Sequence, residues 1–285
     1  MNYTKILLVE PDYFDVIDCR NPHMNPAVPV NKDLAIKQWD SLVLQYRKLV
    51  EKGDLAELVL LGYYPDLVDL VFCANAGLTW KDKEGNLKAF MSAMRHDIRR
   101  DEVPYISSFL ESEGHKISTC GDGYFEGAGD CIWHPADNKL FCGHGYRTNR
   151  SGLEYFKNSV KDENFSVIEL ELCDPRFYHL DMCFLPLNWH TVLIYHQAFT
   201  PDALRKIVAN FKNVEFIAAK EALNFALNGH IIRTTKRRRD VCIIQKGNPH
   251  TEAILKREKI RIVNCDLSEF NKSGGSVFCM KLEFN

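Results

Sequence analysis

The sequence predicts an α/β fold assembled from several small, similar units. Three observations carry this: short strand-like apolar runs outnumber helix-like stretches, one helix-like stretch follows about every two or three of them, and roughly 50 residues separate successive helices. The strand-like runs, in chain order, are KILLVE, ELVLLGY, VDLVFCAN, KAFMSAM, HKISTC, KLFCGHG, SVIELEL, TVLIYHQAF, HIIRTT, DVCIIQ, RIVNC and SVFCMKLEF. The first helix is expected over residues 33–52, where Leu34, Trp39, Leu42 and Leu49 are apolar. Others are expected over 95–113, bent by Pro104, over 153–160, over 201–211, where Pro201 suits a first helical turn, and over 251–259. No linker rich in Pro, Gly or Ser interrupts the pattern, so a single domain over residues 1–285 is expected.

Composition narrows the function. With 46% hydrophobic and 26% charged residues the chain buries a substantial core and shows no signature of disorder. Lys+Arg 36 against Asp+Glu 38 gives a formal charge of -2, so no strong field draws in nucleic acid or an anionic membrane. A small-molecule partner is expected, and self-association into a homo-oligomer is left open. The start, MNYTKILLVEPDYF, lacks the features of a secretory signal, and no apolar run approaches the ~20 residues of a membrane helix. Ten cysteines are scattered without a CxxC pair, which fits reduced thiols in a cytoplasmic protein better than a disulfide framework or a zinc module. The basic run Lys236 to Arg239 reads as a solvated hairpin tip.

Three stretches carry chemistry. FYHLDMCF reads as a strand on which His179 and Asp181 share a face. Alone, such a pair is more often an internal ion pair than a site, and no further ligand spacing supports a metal. FEGAGDC sets Glu126 and Asp130 around glycines, which otherwise is simply a turn. KSGGSVFCMKLEF puts Cys279 on a terminal strand, alternating with Val277 and Lys281, where a lone cysteine is more often core. Together they supply a thiol, an imidazole and carboxylates, the groups needed for covalent attack on a planar cation such as a guanidinium.

In order along nearly the whole chain, VFCANAG, FEGAGD, GHGYRT, FYHLDMCF and SGGSVFC resemble the guanidine-modifying, or pentein, superfamily, which includes arginine deiminases, arginine dihydrolases, dimethylargininases and amidinotransferases. The resemblance implies a five-bladed α/β propeller of ββαβ units around a pseudo-fivefold axis, with the site in the central channel. It implies that Cys279 is the nucleophile, His179 the general acid and base, Glu126 the carboxylate that orients it, and Asp181 a guanidinium-binding carboxylate. Arg95 and Arg147 match the arginines that hold a substrate carboxylate, with Asn21 as a further contact and Asp69 either binding the α-amino end or capping local structure. No metal or organic cofactor is implied. Arginine deiminases and many dimethylargininases carry aspartate where this chain has Asn75. In the arginine dihydrolase branch an asparagine there accompanies a second hydrolysis, so the expected activity is arginine to ornithine, ammonia and carbon dioxide. Dimethylargininase activity is the alternative, and amidinotransferase activity a more distant one. Ribosome-binding members of the superfamily lack the Cys, His and Glu set found here.

Overall fold

The computed structural model describes residues 5–234 and 239–285. Of the basic run, Lys236, Arg237 and Arg238 therefore lie outside the described residues. Among the described residues, fifteen strands form five separate three-stranded sheets, all wired alike. In the first, β1 (Lys5–Val9) and β2 (Glu57–Leu61) run parallel on either side of the helix Lys32–Glu51. The second contains β3 (Gly77–Lys81), β4 (Leu87–Met91) and β5 (Lys116–Thr119); the third contains β6 (Cys131–Trp133), β7 (Lys139–His144) and β8 (Ser166–Glu171). The fourth is β9 (Phe184–Pro186), β10 (Thr191–Ile194) and β11 (Asn213–Phe216), and the fifth β12 (His230–Ile232), β13 (Val241–Gln245) and β14 (Arg261–Cys265). Finally β15 (Lys281–Phe284) returns to pair antiparallel with β1, Leu282 opposite Leu7, and completes the first sheet.

Every unit thus has an antiparallel first pair, a parallel second pair and a helix crossing between its last two strands. This is the ββαβ unit, repeated five times about a pseudo-fivefold axis. Middle strands are covered on both sides, which is why Thr191–Ile194 and Val241–Gln245 are buried at every residue and read as continuous apolar runs. The helices start where local chemistry dictates. Asn31 caps Lys32–Glu51 by accepting from the Leu34 amide at 3.0 Å, Asn149 caps Arg150–Ser159 through Gly152 at 2.9 Å, and Thr200 precedes Pro201 at the head of Pro201–Asn210. The expected helix over 95–113 is two pieces, a short 3-10 turn Asp97–Arg99 and the helix Glu102–Ser112, with Pro104 in its first turn where no hydrogen bond is lost. Among the described residues, no helix is long and apolar enough to cross a membrane.

Three strand expectations fail, and all three lie at the axis. VDLVFCAN is a set of turns ending in the 3-10 turn Cys73–Ala76; FYHLDMCF is a loop leading into the 3-10 turn Leu180–Met182; and in SVFCMKLEF only Lys281–Phe284 is strand. Each is apolar because it is buried, not because it is extended. Similar tight turns precede β6, at Gly127–Asp130, and β12, just before Gly229. The five turns carry Asn75, Asp130, Asp181, Asn228 and Cys279, each two residues or so ahead of the first strand of its unit, and all five are buried. Close approach of these turns explains Gly127, whose φ of 54° and lack of a side chain let the Gly77 carbonyl come within 2.6 Å of where a Cβ would sit.

The β1–β15 pairing closes the ring, so its packing should carry global stability. Leu282→Ala, fully buried between β1 and the helix Glu102–Ser112, should lose about 2–5 kcal/mol. Exposed Leu34→Ala should stay within about 0.5 kcal/mol. Urea titrations of both variants check this; equal midpoints would show that closure is not a global constraint.

Candidate active site

Cys279 lies two residues ahead of β15, with its Sγ between two side chains from neighbouring units. It is 3.1 Å from Asp181 Oδ2 and 3.1 Å from Asn228 Nδ2. A small cavity of about 20 Å³ opens beside it, lined by Cys279, His179, Asn75, Arg147, Asp69 and Asn21 among others. Six of the nine residues singled out from sequence thus share one cavity wall. A larger cavity of about 110 Å³ is lined chiefly by the first strands of the units, including Ile132, Phe184 and Leu282, and contains none of the nine. The reactive groups place the site in the smaller one.

Electrostatics around the imidazole are tightly arranged. His179 Nε2 meets Glu126 Oε2 at 2.8 Å, and Glu126 also accepts from Arg147 Nη1 at 3.1 Å and from the Arg95 backbone amide at 3.1 Å. Burial opposes a charge on Glu126, but Arg147 and His179 outweigh it and hold the carboxyl well below the usual carboxylate range. Because a carboxylate can only accept, Nε2 carries a proton, which leaves Nδ1, 3.5 Å from Asn75 Nδ2, as the basic ring nitrogen. The imidazole therefore pairs with Glu126 and not with Asp181, contrary to the simplest reading of HLD. Behind it, Asp130 accepts from the Leu180 amide at 3.0 Å and from Thr148 Oγ1 at 2.7 Å, tying the turn that carries His179 to the preceding unit. Gly129 must lack a side chain, since a Cβ would lie 2.2 Å from Asn75 Nδ2.

Around the Cys279 sulfur the balance runs the other way. Burial pushes the Asp181 carboxyl up to about 7 and, together with Asp181, pushes the Cys279 thiol well above its ordinary range. At rest the thiol donates to Asp181 Oδ2, while Asp181 Oδ1 is buried with no hydrogen-bond partner among the described residues. Such an orphaned acceptor beside a thiol is a vacancy for N–H donors.

Other residues fall less evenly. Arg147 stacks over the Tyr178 ring, 4.6 Å from its centroid, and Tyr178 donates to the Gly274 carbonyl at 2.7 Å. Asn21 donates to the Ser273 carbonyl at 2.9 Å. Asp69 is held by Arg20 at 2.8 Å and Ser273 Oγ at 3.1 Å. Arg95 is exposed, its guanidinium donating to the Tyr146 carbonyl, and it does not line the cavity. Beside Arg147, the arginine that does is Arg99, buried in a pair with Glu102 and donating from Nη1 to Asn75 Oδ1 at 3.0 Å. Sequence reading missed Arg99, lost among the charges of RHDIRRDE. It also missed Asn228, although FALNGH repeats the polar-then-small step that CANAG shows ahead of the first strand of its unit.

A family profile described as N,N dimethylarginine dimethylhydrolase, eukaryotic, matches residues 15–285. The chain belongs to this family. With it the dimethylarginine dimethylhydrolase family places the protein in the pentein superfamily, in its arginine dihydrolase and dimethylargininase branch. AgrE of Nostoc sp., a bifunctional arginine dihydrolase/ornithine cyclodeaminase, is 32% identical over 283 residues, covering 98% of this chain and 37% of AgrE. The chain thus spans little more than a third of that bifunctional relative. The N-terminal domain of ArgZ, an arginine dihydrolase from cyanobacteria solved as a mutant bound to substrate, superposes with a TM-score of 0.86 at 27% identity, covering 98% of this chain and 97% of the domain. A second mutant of that domain, covalently bound to a reaction intermediate, gives 0.86 at 28% identity, with 99% and 97% covered.

The raised Asp181 carboxyl has a measurable consequence. A carboxyl whose folded pKa exceeds its unfolded value stabilises the fold below about pH 4 and loses that contribution as pH rises through about 7. Asp181→Asn should therefore match the wild type near pH 4 and exceed its stability at pH 8 by on the order of 1–4 kcal/mol. Urea unfolding of the unliganded protein at the two pH values reads this; a difference that does not change with pH would mean that Asp181 is not buried as a strained carboxylate.

Proposed function

We propose that the protein is a cysteine-dependent hydrolase of the guanidino group of free arginine, an arginine dihydrolase giving ornithine, ammonia and carbon dioxide. The observation that carries this is Asp181 placed 3.1 Å from the Cys279 thiol. A carboxylate there opposes thiolate formation, and the opposition is lifted only when a cation lies between them. A guanidinium fits, since its N–H groups satisfy Asp181 Oδ1 while its carbon faces the sulfur. Arg147 and Asn21 on the cavity wall suit the amino-acid end of the substrate. Arg95 reaches this arrangement only through its backbone amide, which donates to Glu126.

The chemistry then follows from the geometry. Nδ1 of His179 takes the thiol proton, and the thiolate adds to the guanidinium carbon. The imidazolium returns the proton to a terminal nitrogen, the C–N bond breaks and ammonia leaves, so that an S-alkylthiouronium remains on Cys279. Water gives a proton to Nδ1 and adds to the same carbon; the C–S bond breaks and citrulline forms. A second attack on the ureido carbon expels a second ammonia, and hydrolysis of the resulting thiocarbamate leaves the carbamate of ornithine, which loses carbon dioxide. Arginine and two waters thus give ornithine, carbon dioxide and two ammonia.

Asn75 favours this second round, though not through both ends of its amide. Arg99 occupies Oδ1, so Asn75 offers the cavity only its Nδ2 donor. A donor suits the oxygen of a neutral ureido group, whereas a carboxylate at this position would present an acceptor that the oxygen cannot use. Dimethylargininase activity is the second reading, favoured by the description of the matching family. All ten cysteines are free, which agrees with a cytoplasmic setting.

Product analysis with arginine, citrulline and dimethylarginine tests the reading. Arginine should yield ornithine with two ammonia per substrate, and Asn75→Asp should shift the product toward citrulline with one. Cys279→Ser should lower turnover by on the order of 10³ or more without loss of fold. Faster release of dimethylamine from dimethylarginine than consumption of arginine would install the second reading, and consumption of arginine only with an acceptor amine such as glycine would make the protein a transferase.

A further inference from the structure

Four of the five axial turns deliver Asn75, Asp130, Asp181 and Cys279, and all four touch the groups described above. The turn of the fifth unit delivers Asn228, which is fully buried and does not line the cavity. Its carboxamide is nonetheless committed at both ends to the nucleophile. Oδ1 accepts from the amides of Phe278 at 3.1 Å and Cys279 at 3.3 Å, and Nδ2 donates to Cys279 Sγ at 3.1 Å and to the Asp181 carbonyl at 3.3 Å. The Asn228 carbonyl also accepts from the Phe278 amide at 3.0 Å. Backbone and side chain of one residue therefore hold the segment that presents the sulfur.

We propose that Asn228 is a catalytic residue of this site: it fixes the rotamer of Cys279 and supplies a side-chain hydrogen bond that supports the thiolate. The inference rests on Cys279 being the nucleophile. Its chemistry follows from the two neighbours of Sγ, which have opposite preferences. The ionised Asp181 carboxylate can only accept, so it favours the S–H form; Asn228 Nδ2 can only donate, so it favours S⁻, and a hydrogen bond to an ionised acceptor is about twice as strong as a neutral one. The anion is also supported by the Ser276 backbone, by the His179 imidazolium once it holds the proton, and by a cationic substrate while one is bound. In the later steps, when the cation has become a neutral product and the sulfur departs again as thiolate, Asn228 still donates to it. It therefore acts on every step in which sulfur carries charge, and not on substrate binding.

Alkylation of Cys279 by iodoacetamide, a neutral reagent, reads this without reference to any substrate, with peptide mapping to confirm the labelled thiol. Asn228→Ala removes the donor without adding charge, and Asn228→Asp keeps the shape and the acceptor for the two backbone amides while removing the donor. Both variants should alkylate more slowly than wild type at each pH from 6 to 10, the aspartate variant by about tenfold, equivalent to one pKa unit. Asp181→Asn should move the profile the opposite way. With arginine, both Asn228 variants should lose kcat while KM changes less than about twofold. If Asn228→Ala follows the wild-type profile and only Asn228→Asp is slowed, the added charge is responsible and the proposal fails. Should Asn228→Asp not fold, the alanine profile decides alone. Full turnover by Cys279→Ser would instead remove the nucleophile assignment and leave the alkylation result to stand as a property of a buried thiol.

Discussion

Antiparallel pairing of β15 with β1 joins the two ends of the described chain, and the same pairing fixes where Cys279 can lie. Lys5 to Leu8 face Phe284 to Lys281, so the turn just upstream has no freedom to slide. That turn is then bonded to its neighbours on both sides: the Ala74 amide donates to the Cys279 carbonyl at 3.2 Å, and Asn228 receives the amides of Phe278 and Cys279. The backbone around Cys279 is held from both neighbours before any ligand contact is considered. This is the form of preorganisation that a strand terminus offers and a surface loop does not.

Charge at the axis is divided into two halves with opposite tendencies. On the His179 side the carboxylate of Glu126 is compensated, by Arg147 and the imidazole, and is comfortable as an anion. On the Cys279 side Asp181 faces a thiol, the charge of Lys281 is already paired with Glu283, and burial makes the Asp181 charge costly. The first half is complete as it stands and orients a base; the second half is incomplete and is completed by the ligand. Binding energy from a cation is thereby spent on activating the sulfur, a coupling of recognition to reactivity that needs no separate activating group.

How much of this was legible in the sequence differs by residue. Repetition of the units could be read from the spacing of helices, because middle strands and capped helices carry strong local signals such as Asn31, Asn149 and Thr200. The short first strands β3, β6 and β9 and the edge strand β11 escaped, being three to five residues long and set beside turns. Three of the five axial turns read as strands because burial imposes apolar composition on any backbone shape, and a shared face is then inferred for His179 and Asp181 from a periodicity they do not have. Cys279, His179, Glu126, Asn75 and Asp181 were recognisable as motif residues. Arg99 and Asn228 were not, since an arginine among charges and an asparagine before glycine carry no local mark of burial, and their importance lies in contacts 24 and 51 residues away.

The contact between Arg99 and Asn75 bears on how such a protein could change its chemistry over generations. Most exchanges at a buried polar position leave a partner stranded and are removed for instability before any new activity can be selected. Here the partner is a guanidinium that donates as readily to a carboxylate as to an amide. Asparagine and aspartate codons differ by one base, so the exchange at position 75 is both genetically adjacent and structurally absorbed. Under the proposed function, a buried cation behind Asn75 thus leaves a short, passable path between one-step and two-step chemistry on the same scaffold, with no intermediate that must sacrifice the fold.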